Sequence, residues 1–164
     1  MLYRRTMAHE TDAAAFHRLT ASAGPRLPLI VDSFERLTGR PLLAAGDAAD
    51  ALWTAPFVVL AHGTEADPIF FYGNRLALSL FELTAEQLVA MPSRLSAEAP
   101  DRDERARLLD EVTRHGFIGD YAGVRVSASG RRFRIERATV WNLVDAAGGL
   151  HGQAAAFSDW SPLD

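Results

Sequence analysis

Apolar positions in the first third of the chain recur at the spacing of amphipathic helices. In "LPLIVDSFERLTGRP" one helical face carries Leu27, Ile30, Val31, Phe34 and Leu37. Pro28 suits the first turn of this helix, and Gly39 ends it. The preceding "TDAAAFHRLTASAG" is typical of a shorter helix from about Thr11 to Gly24. We expect the apolar stripe to pack against the rest of the domain, with a dimer seam as the alternative.

The middle of the chain changes from a strand pattern to a helix pattern. "PFVVLAHG" and "PIFFYG" are typical of buried strands, and the turn residues in "HGTEADP" join them into a hairpin. Asn74 then caps one short helix, and Thr84 with Gln87 forms a capping box for a second. A longer helix follows from Asp101 to Gly116. One face of it carries Arg105, Leu108, Leu109 and Val112.

The last third is predicted to form three strands. "AGVRVSASGRRFRIERATVWNLVD" contains two alternating runs joined by the turn Ala128-Ser129-Gly130, and "LHGQAAAFSDW" is a final strand. Strands at both ends with helices between them indicate an antiparallel sheet with helices on one face. The opposite face of such a sheet can be covered by the two leading helices.

Composition excludes several kinds of chemistry. The 164 residues are 48% hydrophobic, which suits one compact domain. There is no cysteine and no lysine, so thiolate nucleophiles, Cys-ligated metals, Schiff bases and a phosphate-loop lysine are excluded. The net charge of −4 argues against a nucleic-acid partner. No signal-peptide core or membrane-spanning run is evident, so we expect a soluble, cytoplasmic protein without a membrane partner.

Several segments resemble a known family. "IFFYGNRLALSLFELTAEQLVAMPSR" is similar to the PAS pattern, in which an Asn after the second strand starts the first of the helices that cover the sheet. "HGTEADPIFFYGNRLALSLFE", "PSRLSAE", "GVRVSASGRRFRIERATVWNLVD" and "GQAAAFSDW" resemble the MEKHLA family of PAS-like proteins. The resemblance extends from about Leu27 to Trp160. The MEKHLA family includes small stand-alone bacterial proteins, and its domain also stands at the end of plant homeodomain–leucine zipper regulators.

The resemblance implies both a fold and a class of function. The expected fold is α+β, with a PAS-like five-stranded antiparallel sheet, helices on one face and an N-terminal helical extension. We place that extension at residues 1–50 and the PAS-like domain at 51–164. The implied function is sensing of a small molecule or signal, coupled to homodimerisation or partner binding. A ligand-free interaction module is the alternative, and a small enzyme of unknown reaction is the second alternative.

Alternation along "RRFRIERATVWNLV" predicts the candidate ligand site. One face would carry Phe133, Ile135, Arg137, Thr139, Trp141 and Leu143, turned toward the covering helices. A buried Arg137 would hold an anionic ligand or pair with Glu65, Asp67 or Glu82. Trp141 would form a pocket wall or core, and Tyr72, Asn74 and Gln153 would add polar groups. A β-bulge would exchange the two faces.

Cofactor, metal and catalytic sites have weaker support. His62, Glu65 and Asp67 offer mixed donors in a turn, but no second histidine stands nearby. His115 is the helix histidine to consider for haem, although a position beside the helix-ending Gly116 is poor for reaching a pocket. Non-covalent flavin binding stays open, whereas a cysteinyl–flavin adduct is excluded. We assign no catalytic residue, no metal ligand and no required cofactor.

Overall fold

A computed structural model describes residues 10–163, so the first nine residues of the predicted extension lie outside the described part. The helices are α1 (Asp12–Ala23), α2 (Arg26–Thr38), α3 (Ala48–Trp53), α4 (Arg75–Phe81), α5 (Ala85–Leu88) and α6 (Ala99–His115), with a 3-10 helix at Ser93–Ser96. The strands are β1 (Val58–His62), β2 (Phe70–Gly73), β3 (Phe117–Val126), β4 (Arg132–Val144), β5 (Leu150–Phe157) and β6 (Asp159–Leu163).

The strands form one antiparallel sheet in the order β2-β1-β5-β4-β3, with β6 paired to β4. Strands β5 and β6 correspond to the single last strand predicted from the sequence. Ser158 interrupts it, yet the register along β4 continues, since Thr139 faces Ala156 and Glu136 faces Asp159. The predicted α+β, PAS-like fold is confirmed, with its last strand divided in two.

Helical layers cover both faces of the sheet. Helix α2 lies against β4, and α1 lies against β2. In α2, Leu27, Ile30 and Phe34 are buried, as the predicted stripe requires. Ser33 Oγ accepts a hydrogen bond from the Val144 backbone N–H at 2.9 Å, which ties α2 to the end of β4. The stripe therefore packs within the chain, and the predicted N-terminal helical extension is confirmed for α1 and α2.

Neighbouring residues of β4 face the two helical layers. Trp141 Nε1 donates to the Ile30 carbonyl of α2 at 3.1 Å, and its ring meets Phe34 edge-on with centroids 4.9 Å apart. Asn142 Nδ2 donates to the Val112 carbonyl of α6 at 3.0 Å. The prediction that Trp141 faces the covering helices α4–α6 is therefore wrong, because it lies on the opposite face of the sheet.

A β-bulge explains this error. Arg137 has φ of 53°, in the left-handed region, and the pairing of β3 with β4 changes register beside it. One residue is thereby inserted into the alternation, so the positions on the inner face of β4, toward α4 and α6, run from Phe133 and Ile135 to Ala138 and Val140. Arg137 itself is exposed and its Nε lies 2.9 Å from Asp159 Oδ2. The prediction of a buried Arg137 is wrong, and its carboxylate partner is none of the three that the sequence indicated.

Candidate functional site

A cavity of about 50 Å³ lies between the inner face of the sheet and the helices α4 and α6. Its wall is mostly apolar and includes Leu60, Phe81, Leu108, Ile135, Val140 and Phe157. The polar side chains at the wall are His62, Ser96, Arg105, Tyr121, Arg125 and Gln153. An apolar enclosure with a few polar groups is the usual composition of a small-molecule site.

Arg105 brings a positive charge to this cavity from α6. It is 8% exposed, and no ion pair within residues 10–163 includes it. Burial, with a smaller contribution from the nearby charge of Arg125, lowers the pKa of its guanidinium to about 10. A buried cation without a carboxylate partner is costly, so its position calls for a compensating anion or for a functional reason.

Arg125 brings a second positive charge from β3 and is held by Tyr121. Its Nη1 donates to the Val124 carbonyl at 2.8 Å, and its Nη2 donates to the Tyr121 hydroxyl at 3.1 Å. That hydroxyl donates in turn to Glu104 Oε2 at 3.0 Å. Glu104 is exposed, and it reaches Arg125 only through the Tyr121 hydroxyl. The two guanidiniums therefore meet the cavity without a carboxylate in direct contact.

Gly123 makes room for the contact between Tyr121 and Arg125. A Cβ atom at this position would overlap the Tyr121 hydroxyl and lie 3.1 Å from Arg125 Nη1. Glycine at this position avoids that overlap, so the side chains of Tyr121 and Arg125 can approach each other over it.

His62 presents an unsatisfied acceptor to the cavity. Its Nδ1 lies 3.1 Å from the Gly63 carbonyl, which assigns the proton to Nδ1 and leaves Nε2 with a lone pair. Nε2 is buried and has no hydrogen-bond partner within residues 10–163. Burial, assisted by the charge of Arg105 and opposed by the hydrogen bond to Gly63 and the charge of Glu65, lowers the pKa of His62 to about 4. His62 is thus neutral at pH 7 and can accept a hydrogen bond from a bound molecule.

The five residues predicted as ligand contacts do not converge. Only Gln153 lines the cavity, where its Nε2 donates to the Leu109 carbonyl of α6 at 3.0 Å. Trp141 lies on the other face, and Arg137 is on the surface. Tyr72 is buried in β2 away from the cavity wall, and burial raises the pKa of its hydroxyl.

Asn74 uses its hydrogen-bonding groups within the fold. Its Oδ1 accepts from the backbone N–H groups of Ala77 at 3.1 Å and Val59 at 3.2 Å. Its Nδ2 donates to the carbonyls of Leu52 at 3.0 Å and Phe57 at 2.8 Å. The predicted cap of α4 is confirmed. Asn74 also ties this helix to β1 and to the end of α3, which explains a buried amide at this joint.

The sequence predictions did not place Arg105, Arg125 or His62 in the ligand site. The sequence pattern around each of these residues explains why. Arg105 shares a helical face with three apolar residues, which is an unusual place for a charge. His62 was considered only as a metal ligand. Arg125 alternates with Tyr121 on β3, but the surrounding "AGVRVSAS" is too weakly hydrophobic to identify the inner face.

The cavity does not fit a flavin or a haem. Pockets for drug-sized ligands measure about 300–1,000 Å³, well above the 50 Å³ found here. His115, the predicted haem candidate, is exposed at the end of α6. Among residues 10–163 no three His, Asp or Glu side chains cluster around a common metal position, and Asp67 instead pairs with Arg94 at 3.2 Å. No helix in this part of the chain has the length and apolarity needed to cross a bilayer.

Comparison with solved structures shows the PAS fold. A PAS domain from Colwellia psychrerythraea superposes with a TM-score of 0.57 at 14% identity, covering 70% of this chain and 92% of that one. The PAS domain of a LuxR-family transcriptional regulator from Burkholderia thailandensis, in complex with ethanol, gives 0.54 at 19% identity, covering 72% of this chain and 98% of that one.

Sequence comparison identifies the family. The chain is 27% identical over 159 residues to the homeobox-leucine zipper protein HOX29 of Oryza sativa subsp. indica, which covers 92% of this chain and 18% of that protein. ATHB-9 of Arabidopsis thaliana is 33% identical over 101 residues, with 60% and 12% covered. This chain thus spans less than a fifth of these relatives. A MEKHLA domain profile matches residues 26–162, so the chain belongs to the MEKHLA domain family.

Proposed function

We propose that this protein is a sensory or regulatory domain that binds a small molecule between the sheet and α6. The observation that carries the proposal is the mostly apolar cavity whose wall includes His62, with its Nε2 buried and without a hydrogen-bond partner in residues 10–163. Buried polar atoms in native proteins are rarely left unpaired, and an absent bound molecule is one explanation. The ethanol complex of the Burkholderia PAS domain supports a ligand of only a few heavy atoms.

Strand β4 offers a route from the cavity to the outer helices. Asn142 binds the α6 backbone, and the adjacent Trp141 binds the α2 backbone. A ligand that shifts α6 against the sheet would therefore change the environment of α2 on the opposite face. In our proposal the ligand favours one arrangement of these layers, and α1 and α2 present that arrangement to a second copy of the chain or to another protein.

A ligand-free interaction module is the second candidate function. The small volume of the cavity favours it, because about 50 Å³ is the size of a packing defect that holds a few water molecules. In that case His62 Nε2 would bind water, and association would not depend on any small molecule. This candidate and the sensory one differ in their response to cavity filling.

Filling the cavity tests the proposal. Ala155 lies on the cavity floor between Leu60 and Val140, whereas the next residue, Ala156, lies on the opposite face of β5. Ala155→Val should abolish the thermal shift that a panel of molecules with three to five heavy atoms causes, and Ala156→Val should preserve it. The panel includes ethanol, ethylene glycol, acetamide, acetate and glycolate. If no member shifts the wild-type melting temperature, the interaction module replaces the sensory proposal.

Coupling is measured separately in wild-type protein. Hydrogen exchange should change in α2 when a stabilising molecule from the panel is added, and native mass spectrometry should show a change in the monomer–dimer ratio. Binding that leaves both α2 exchange and the oligomer unchanged would refute the coupling through β4.

A further inference from the structure

The cavity has a positive electrostatic character that its own residues do not neutralise. Arg105 comes from α6 and Arg125 from β3, so two independent elements place arginines at the wall of the same small cavity. Both side chains are more than nine-tenths buried, at 8% and 7% exposed. The nearest connected carboxylate, Glu104, reaches Arg125 only through the Tyr121 hydroxyl. A bound anion would supply the missing negative charge.

The size and the wall of the cavity select among anions. Guanidinium groups bind carboxylates well because two N–H groups can match two oxygens. The rest of the wall is apolar, with Leu60, Phe81 and Val140 among its members. A carboxylate on a short hydrocarbon chain satisfies both features, whereas an inorganic oxyanion would place oxygen atoms against the apolar wall. A volume of about 50 Å³ restricts the chain to two or three carbons.

His62 sets a second requirement for the ligand, at another point of the cavity wall. Its Nε2 is an acceptor, so it would be satisfied by a hydroxyl donor and not by a second carboxylate. The charged groups facing this imidazole are Arg105 from α6 and Glu65 from the β1–β2 turn. Arg105 disfavours protonation of the ring, which keeps the acceptor available.

We propose that the ligand is a short hydroxycarboxylate, whose carboxylate binds the guanidiniums of Arg105 and Arg125 and whose hydroxyl donates to His62 Nε2. This inference rests on the proposed sensory function and names the chemical class that the cavity selects. Tyr121 and Glu104 position Arg125 and do not contact the ligand in this arrangement. Glycolate and lactate are the simplest members of the class.

Titration calorimetry and thermal shift with sodium glycolate test the class. Sodium acetate lacks the hydroxyl, ethylene glycol lacks the charge, and sodium chloride holds the ionic strength constant. We expect glycolate to bind about two- to tenfold more tightly than acetate, the effect of one neutral hydrogen bond. Arg105→Met should weaken glycolate binding at least about tenfold, because it removes a charged donor. Arg107→Met, an exposed residue of the same helix, should leave the affinity unchanged.

Comparisons with a His62 variant and with other small molecules complete the test. In His62→Leu, glycolate should lose its advantage over acetate while acetate binding persists. If ethylene glycol or ethanol stabilises the protein and no carboxylate does, the proposed ligand class is wrong. The sensory proposal would still stand. Chloride or phosphate that stabilises it as strongly as glycolate would overturn the carboxylate assignment. Failure of every molecule in the panel would overturn both proposals together.

Discussion

Replacing Arg105 with methionine should stabilise the ligand-free protein. Burial lowers the pKa of this guanidinium to about 10. The ordinary pKa of arginine is well above this value, and one pKa unit corresponds to about 1.36 kcal/mol, so burial and the nearby Arg125 charge together cost about 3 kcal/mol. Methionine keeps a flexible stem of similar length without the charge. For a chain of 164 residues, a gain of about 3 kcal/mol raises the melting temperature by about 6–12 °C.

The pH dependence of this gain has a defined sign. Below about pH 10 Arg105 carries its proton in the folded and the unfolded chain, so the cost is constant there. As the pH rises above about 10 toward the higher pKa of the unfolded chain, the folded chain loses the proton first and the cost disappears. The difference between Arg105→Met and wild type should therefore be the same at every pH from about 6 to 9.

Urea unfolding followed by circular dichroism measures the difference, with Arg107→Met as the matched control that should leave the free energy of unfolding unchanged. The buffer must contain no carboxylate, since a bound anion would stabilise only the wild type. If Arg105→Met is less stable than wild type under these conditions, Arg105 has a partner within the protein and the reasoning about an uncompensated charge is wrong.

Three other predictions follow from the same contacts. Asn74→Ala should lower the free energy of unfolding by about 3–5 kcal/mol in urea, because it removes a cap and unpairs several buried backbone groups. Arg137→Ala should leave the urea midpoint nearly unchanged, since its ion pair is exposed; a large loss would contradict this. His62 has a pKa of about 4 in the fold against about 6.5 unfolded, so its contribution is complete above pH 6.5 and lost toward pH 4. His62→Gln should remove up to about 3 kcal/mol of that pH dependence, measured by thermal unfolding.

Local signals in the sequence predicted much of the fold correctly. The stripe of α2, the cap at Asn74 and the Thr84–Gln87 capping box all depend on residues within one or two turns of each other. Such features follow from chain geometry that neighbouring residues determine. The order of strands and helices then indicated the antiparallel sheet, and the structure confirms it.

The candidate site was harder to predict because it depends on register. Alternation counted through Arg137 assigns the wrong face to every later residue of β4, and an arginine with positive φ gives no warning in sequence. Arg105, Arg125 and His62 come from three separate elements. Arg105 was visible as a charge on an apolar helical face, but only the tertiary structure shows that Arg125 and His62 meet it.

The irregularity at Arg137 continues across the sheet, through Asp120 on β3 and the interruption at Ser158 on the last strand. Four residues lie between Ile118 and Gly123, and four lie between Ile135 and Val140, so the additional residues in the two strands cancel. Deleting Arg137 alone would restore regular alternation along β4 and keep Trp141 on the outer face, but the additional residue at Asp120 on β3 would then have no counterpart on β4. An insertion or deletion beside Asp120, Arg137 or Ser158 should therefore be tolerated only when the neighbouring strand gains or loses a residue at the matching position.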